Sequence, residues 1–231
     1  MNSYKITPLK TALMLLFIVV LVSGCRKAEE PEIPLKVTDV DGNVNDVVII
    51  GKQGWMKENL KVTHYSDGSE IPNVTGTSEW ASLTSGAWSE YNNSASTGTT
   101  YGKLYNGFAV ETGKLCPTGW RVPTDDDWTE LMNFLGGQSV AGGQIKQEGT
   151  SLWKTPNEGA TNSSGFTALP AGFRGPTGLF YQNAEVAIWW SSSSEADKLP
   201  YWITVFSNAY MARNFPVTKV NGMTIRCIWA D

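Results

Sequence analysis

The hydrophobic pattern changes character along this chain. From Ala12 to Val22 every position is apolar (ALMLLFIVVLV), and Lys5 and Lys10 precede the run. That is shorter than the roughly 20 apolar residues a bilayer crossing needs and has the make-up of a signal-peptide core. Arg26 to Pro34 is then charged, punctuated by proline and short of apolar residues. This predicts a signal peptide over 1–24, a flexible tether over 25–35 and a single domain over 36–231.

Within the domain, short apolar clusters alternate with turn residues. Val37–Val40 and Val44–Ile50 read as a hairpin around Asp41-Gly42-Asn43. A further strand is expected at Lys61–Tyr65, closed by Ser66-Asp67-Gly68-Ser69. Pro72 to Thr100 is rich in Ser, Thr, Gly and Asn, with Trp80, Trp88 and Tyr91 spaced through it, and reads as a long ordered loop packed by its own rings. Tyr101–Val110 predicts a short helix with Leu104, Tyr105, Phe108 and Ala109 on one side.

The segment Pro123–Gly137 predicts a helix with both ends marked. Thr124 is the N-cap, Asp127 the acid of a capping box, and Gly136 the stop, while Trp128, Leu131, Met132 and Leu135 form an apolar stripe. Its three acids, Asp125 to Asp127, are read as capping chemistry rather than metal ligands. Another helical turn is expected over Ala141–Gln147. Strands follow at Gly165–Leu169, Gly172–Arg174, Leu179–Tyr181, Ala187–Trp190, Tyr201–Phe206 and Met223–Trp229. The fold class is therefore α+β: mostly antiparallel sheet, one or two short helices and long ordered loops.

Chemistry enters at Val22-Ser23-Gly24-Cys25, which closely resembles a bacterial lipobox. The resemblance implies cleavage before Cys25, lipid on its thiol and durable anchoring by several acyl chains. The charged residues after it are similar to surface-export signals of Bacteroidetes lipoproteins, so display at the cell surface and on the periplasmic face of the outer membrane both stay open. In such a compartment Cys116 and Cys227 are expected to be bridged, the alternative being two buried thiols. A bridge would close a loop of about 110 residues and stabilise the fold by roughly 4 to 5 kcal/mol in the chain-entropy model. The formal net charge of −4 argues against nucleic acid as a partner.

An ordered series of motifs resembles the Fibrobacter succinogenes major paralogous domain, a family of bacterial exported proteins. It includes Trp55-Met56-Lys57-Glu58-Asn59-Leu60, Tyr101-Gly102-Lys103-Leu104-Tyr105-Asn106 and Leu115-Cys116-Pro117-Thr118-Gly119-Trp120-Arg121-Val122-Pro123-Thr124. It continues with Ala168-Leu169-Pro170-Ala171-Gly172-Phe173-Arg174, Trp189-Trp190-Ser191-Ser192 and Ile225-Arg226-Cys227. Arg121 to Thr124 ahead of the acidic helix also resembles the formylglycine-generating-enzyme branch of C-type-lectin-like folds. That resemblance implies a core whose termini pair in a sheet and whose long loops build one face. Fold does not fix function here.

No catalytic constellation assembles. His64 is the only histidine, which excludes His-based triads and multi-His zinc sites. The P-loop, the dinucleotide fingerprint and G-x-S-x-G are absent. Asp39 to Asn45 looks like a calcium loop but carries Ile50 where the bidentate Glu belongs. The expectation is a protein without catalytic residues, cofactor or metal. Its candidate ligand-binding residues are Trp153, Arg174, Trp189 and Trp190, whose rings and guanidinium could meet sugar hydroxyls. Its partners are the membrane, through the lipid, and a glycan, peptide or envelope protein. A structural or adhesive role at the cell surface is the alternative reading, and an unrecognised enzyme the third.

Overall fold

The computed structural model describes residues 1–2, 32–196, 198–205 and 207–230, so the signal segment, most of the tether and Cys25 lie outside the described residues. Everything below concerns the unit Ile33–Asp231. In chain order its elements are β1 (Lys36–Thr38), β2 (Val44–Ile50), β3 (Gln53–Met56), α1 (Thr77–Ala81), β4 (Trp88–Ser89), α2 (Ala95–Tyr101), β5 (Leu104–Asn106), α3 (Gly107–Glu111), β6 (Trp120–Arg121), α4 (Asp125–Phe134) and α5 (Gln138–Ile145). There follow β7 (Phe173–Arg174), β8 (Phe180–Tyr181), β9 (Val186–Trp190), β10 (Leu199–Val205), β11 (Met211–Val217), β12 (Gly222–Met223) and β13 (Ile228–Trp229).

The hairpin forms as its turn residues dictate. Asp39 accepts the N–H groups of Asp41 and Asn43, and Gly42 takes the positive φ of 82° that the turn needs. β1 and β2 then pair antiparallel, with Thr38 opposite Val44. The sheet continues in the order β1-β2-β3-β13-β6, so strands from both ends of the domain lie side by side. Cys116, just before β6, and Cys227, just before β13, form a disulfide across a sequence separation of 111.

Two further sheets complete the antiparallel framework, β11-β10-β9 and β4-β5-β12-β7-β8. β9 stands between two cores. Ile188 and Trp190 pack with Leu60, Tyr105, Met223 and Ile225 on one side. Ala187 and Trp189 pack with Trp55, Trp128, Phe166 and Trp202 on the other. Trp128 is the hub of the second core, its ring centroid lying 4.8 Å from Trp55 and 5.4 Å from Trp189. α4 supplies that hub because its cap works as expected. Thr124 and Asp127 form the capping box, and Trp128 and Leu131 are buried on the inner face.

Several expectations need correction. Tyr101–Val110 is not one helix: Tyr101 ends α2, Leu104–Asn106 is strand β5, buried at all three positions, and Gly107–Glu111 is a separate helix capped by the Asn106 side chain. Lys61–Tyr65 makes only an isolated bridge, His64 to Glu70, and Gly165–Leu169 only one, Ala168 to Lys146. The loop expected over 72–100 contains α1, β4 and α2, so the described residues hold more than one or two helices. Met223–Trp229 is not one strand, because the chain leaves one sheet at β12 and enters another at β13. Strand β11 was not foreseen: Pro216 and alternating polar positions disguise it, and both are tolerated because it is a sheet edge.

Candidate functional site

The candidate ligand-binding residues are all interior, which corrects that expectation. Trp189 and Trp190 point to opposite sides of β9, but each side is core, and both rings are fully buried. Their ring N–H groups donate to Asn59 Oδ1 (3.0 Å) and to the Tyr105 carbonyl (2.8 Å). Trp153 is buried and donates to the Ala168 carbonyl. Arg174 is buried beneath Trp80 and Phe180 and donates to the carbonyls of Val74, Thr75, Gly76 and Gly178. None of the four presents a surface to a ligand.

Arg174 belongs to a pattern. Among the described residues three cations, Lys146, Arg174 and Arg226, are fully buried. Burial of a charge is costly unless its donors are matched. Here the match comes largely from main-chain carbonyls. Lys146 donates to the carbonyls of Glu158, Val205 and Asn208. Burial pushes its ammonium down to about 8, Glu158 acting in the opposite direction.

Arg226 is the member that shapes a surface. Its guanidinium donates to the carbonyls of Met56 (3.1 Å), Lys57 (2.7 Å) and Phe166 (2.6 Å). It also gives two hydrogen bonds to Asn59 Oδ1, at 3.1 and 2.9 Å, and lies 4.3 Å from the Phe166 ring. Burial pushes Arg226 down to about 9, with Glu58 acting in the other direction. The Asn59 amide donates onward to the Tyr101 carbonyl at 2.8 Å. One side-chain pair therefore ties together segments 56–59, 166–167 and the end of α2.

Above this tie opens a cleft of about 290 Å³, lined by Lys57, Glu58, Asn59, Lys61, Thr100, Gly102, Gln147, Leu152, Thr167 and Leu169. Gly102 permits the close approach of two walls. Its φ is +84°, and a Cβ there would come within 2.7 Å of Asn59 Cβ. The fourth wall is fixed in the same manner, since Asn157 donates to the carbonyls of Gln147 and Gly149, and the Gln147 N–H bonds Ala168. The floor and walls are thus set before any ligand arrives, which lowers the ordering cost of binding.

The three-Asp run is used structurally. Asp127 bonds Thr124 and Arg121, Asp125 accepts from Trp202 and Arg213, and Asp126 is exposed. His64 is half-exposed and bonds Asp41 through Nδ1 at 2.6 Å. Among the described residues no group of three or more His, Cys, Asp or Glu could hold a metal ion, and no helix is long and apolar enough to cross a membrane.

The cleft residues escaped the sequence reading although Lys57, Glu58 and Asn59 sit in a motif that the family resemblance used. The missing signal is long-range: Arg226 lies 167 residues from Asn59. No curated protein and no solved structure matches the chain. A family model described as the Fibrobacter succinogenes major domain matches residues 48–229, a span that holds both the Arg226–Asn59 tie and every residue of the cleft. The chain belongs to the Fibrobacter succinogenes major domain family.

Proposed function

We propose that this chain is an exported protein, held to the outer membrane by lipid on Cys25, whose domain is a non-catalytic recognition module. Its ligand would be a glycan, peptide or envelope partner bound in the Lys57–Thr167 cleft. The observation that carries the reading is the Arg226–Asn59 tie. It uses a fully buried guanidinium to hold segments 56–59 and 166–167, and through Asn59 the end of α2, around an open polar cleft. A module that recognises without reacting needs such a fixed lining more than it needs a nucleophile or acid–base pair. A C-type-lectin-like core is part of the same proposal. It is supported by the pairing of β3 with β13, near the two ends of the domain, and by the gathering of long loops at the cleft.

The test is binding of the full-length protein, in non-ionic detergent micelles, to arrayed glycans and peptides. Saturable binding that is lost in Thr100→Trp, a change that fills the cleft from the exposed face of α2, is the expected result. Binding that survives this change moves recognition elsewhere, and an absence of saturable binding removes the reading. Metabolic labelling with a fatty acid should mark the wild-type chain and not Cys25→Ser.

A further inference from the structure

We infer that the cleft is built for an acidic sugar, a saccharide carrying a carboxylate such as a uronate, held by the ammonium groups of Lys57 and Lys61. This inference rests on the recognition reading above and names its ligand class.

The charge balance of the cleft points this way. Lys57, Lys61 and Glu58 are its ionisable lining groups. Glu58 accepts the Asp46 N–H at 3.1 Å and offsets one of the two ammonium charges. Neither Lys57 nor Lys61 makes an ion pair among the described residues, whereas the neighbouring Lys103 is matched by Glu90 and covers the Trp88 ring. Beneath the floor lies the Arg226 guanidinium, which no carboxylate contacts. An acidic protein with a net charge of −4 thus keeps a locally positive recess. Such a recess attracts an anion and repels little at close range.

The rest of the lining separates sugar from peptide. Thr100 and Gln147 bring a hydroxyl and an amide, while Leu152 and Leu169 give a small apolar flank. None of the lining residues belongs to a strand. An extended peptide therefore has no sheet edge to pair with, and its main chain would stay unmatched. No aromatic ring lines the cleft, so a neutral sugar lacks the stacking face that usually holds it. Charge must supply what stacking does not. The cleft's 290 Å³ is at the small end for ligand pockets, which run from about 300 Å³ upward, and suits a short saccharide segment.

The test is calorimetric titration of the full-length protein in non-ionic detergent micelles with a galacturonate trisaccharide and with its carboxyl-reduced neutral counterpart. The acidic sugar should bind about tenfold more tightly, and the gap should narrow as salt rises. The double variant Lys57→Gln/Lys61→Gln should abolish that gap with an unchanged thermal melt, and Lys57→Arg/Lys61→Arg should restore it. Equal binding of the two sugars, both lost in Thr100→Trp, overturns the acidic class and leaves recognition standing. An acidic hexapeptide that competes as well as the uronate overturns the sugar. If neither saccharide binds, the inference falls, and the wider array alone decides whether the cleft recognises anything. A gap that persists in the double Gln variant overturns the role of the two lysines.

Discussion

The hairpin sheet and the loop region over 147–172 reach the same end by different means. In the first, main-chain groups satisfy one another: Val47, Val48, Ile49 and Ile50 pair in register with Met56, Trp55, Gly54 and Gln53. In the second, scattered main-chain bonds such as Gln147 N–H to Ala168 and Thr161 N–H to Gly143 are joined by side chains that take up further carbonyls. Arg226 serves Phe166, Lys146 serves Glu158, Trp153 serves Ala168, and Asn157 serves Gln147 and Gly149. A ladder spreads its stabilisation over many similar bonds, whereas here it is concentrated in a few side chains whose loss orphans several carbonyls at once. The difference teaches that the irregular region is ordered by design of its neighbours, and that its cleft depends on residues far away in sequence.

Four measurements would break or sharpen that contrast. The largest effect is expected for Arg226→Met, which removes the donors to Met56, Lys57, Phe166 and Asn59. Chemical denaturation should show a loss of about 5 kcal/mol, because several buried acceptors are left unmatched. A loss below about 1 kcal/mol would mean that the loops are held by something else. Next comes the regular side. The paired change Cys116→Ala/Cys227→Ala frees a link spanning 111 residues and should lower stability by about 4 kcal/mol. It should leave cleft binding nearly intact, since neither cysteine lines the cleft.

A smaller effect is expected for Asn157→Ala, about 2 kcal/mol, from two lost hydrogen bonds and from the left-handed backbone at φ 48°. Hydrogen exchange should then rise locally over 147–152 and stay unchanged in β2. The smallest effect belongs to the helix cap. Burial pushes the Asp127 carboxyl up, but Arg121 and the Thr124 hydroxyl and N–H outweigh it and hold it below the ordinary value of 3.8. Its contribution is complete above that value and lost as pH falls through the lower folded one. Stability of the wild type over Asp127→Asn should therefore shrink below about pH 4, by roughly 1 kcal/mol in total, as followed by urea melts.

What could be read from the sequence follows the same division. The hairpin, α4 and its capping box were legible because Asp41-Gly42-Asn43 and Thr124 with Asp127 act over a few residues. The bridge expected between Cys116 and Cys227, favoured over two buried thiols, is formed. The burial of the Trp pair was not legible, because alternation on β9 tells that Trp189 and Trp190 part company but not that both sides are interior. The cleft was invisible, because its walls come from segments around Lys57, Thr100, Gln147 and Thr167 and meet through a guanidinium near the chain's end.

β9 has one more consequence. It is the partition wall shared by both hydrophobic chambers, with Trp190 facing one and Trp189 the other. Neither chamber can close without it, so a chain cut ahead of Val186 would leave no half able to stand alone. Native molecules should therefore melt in one step, both chambers emptying together.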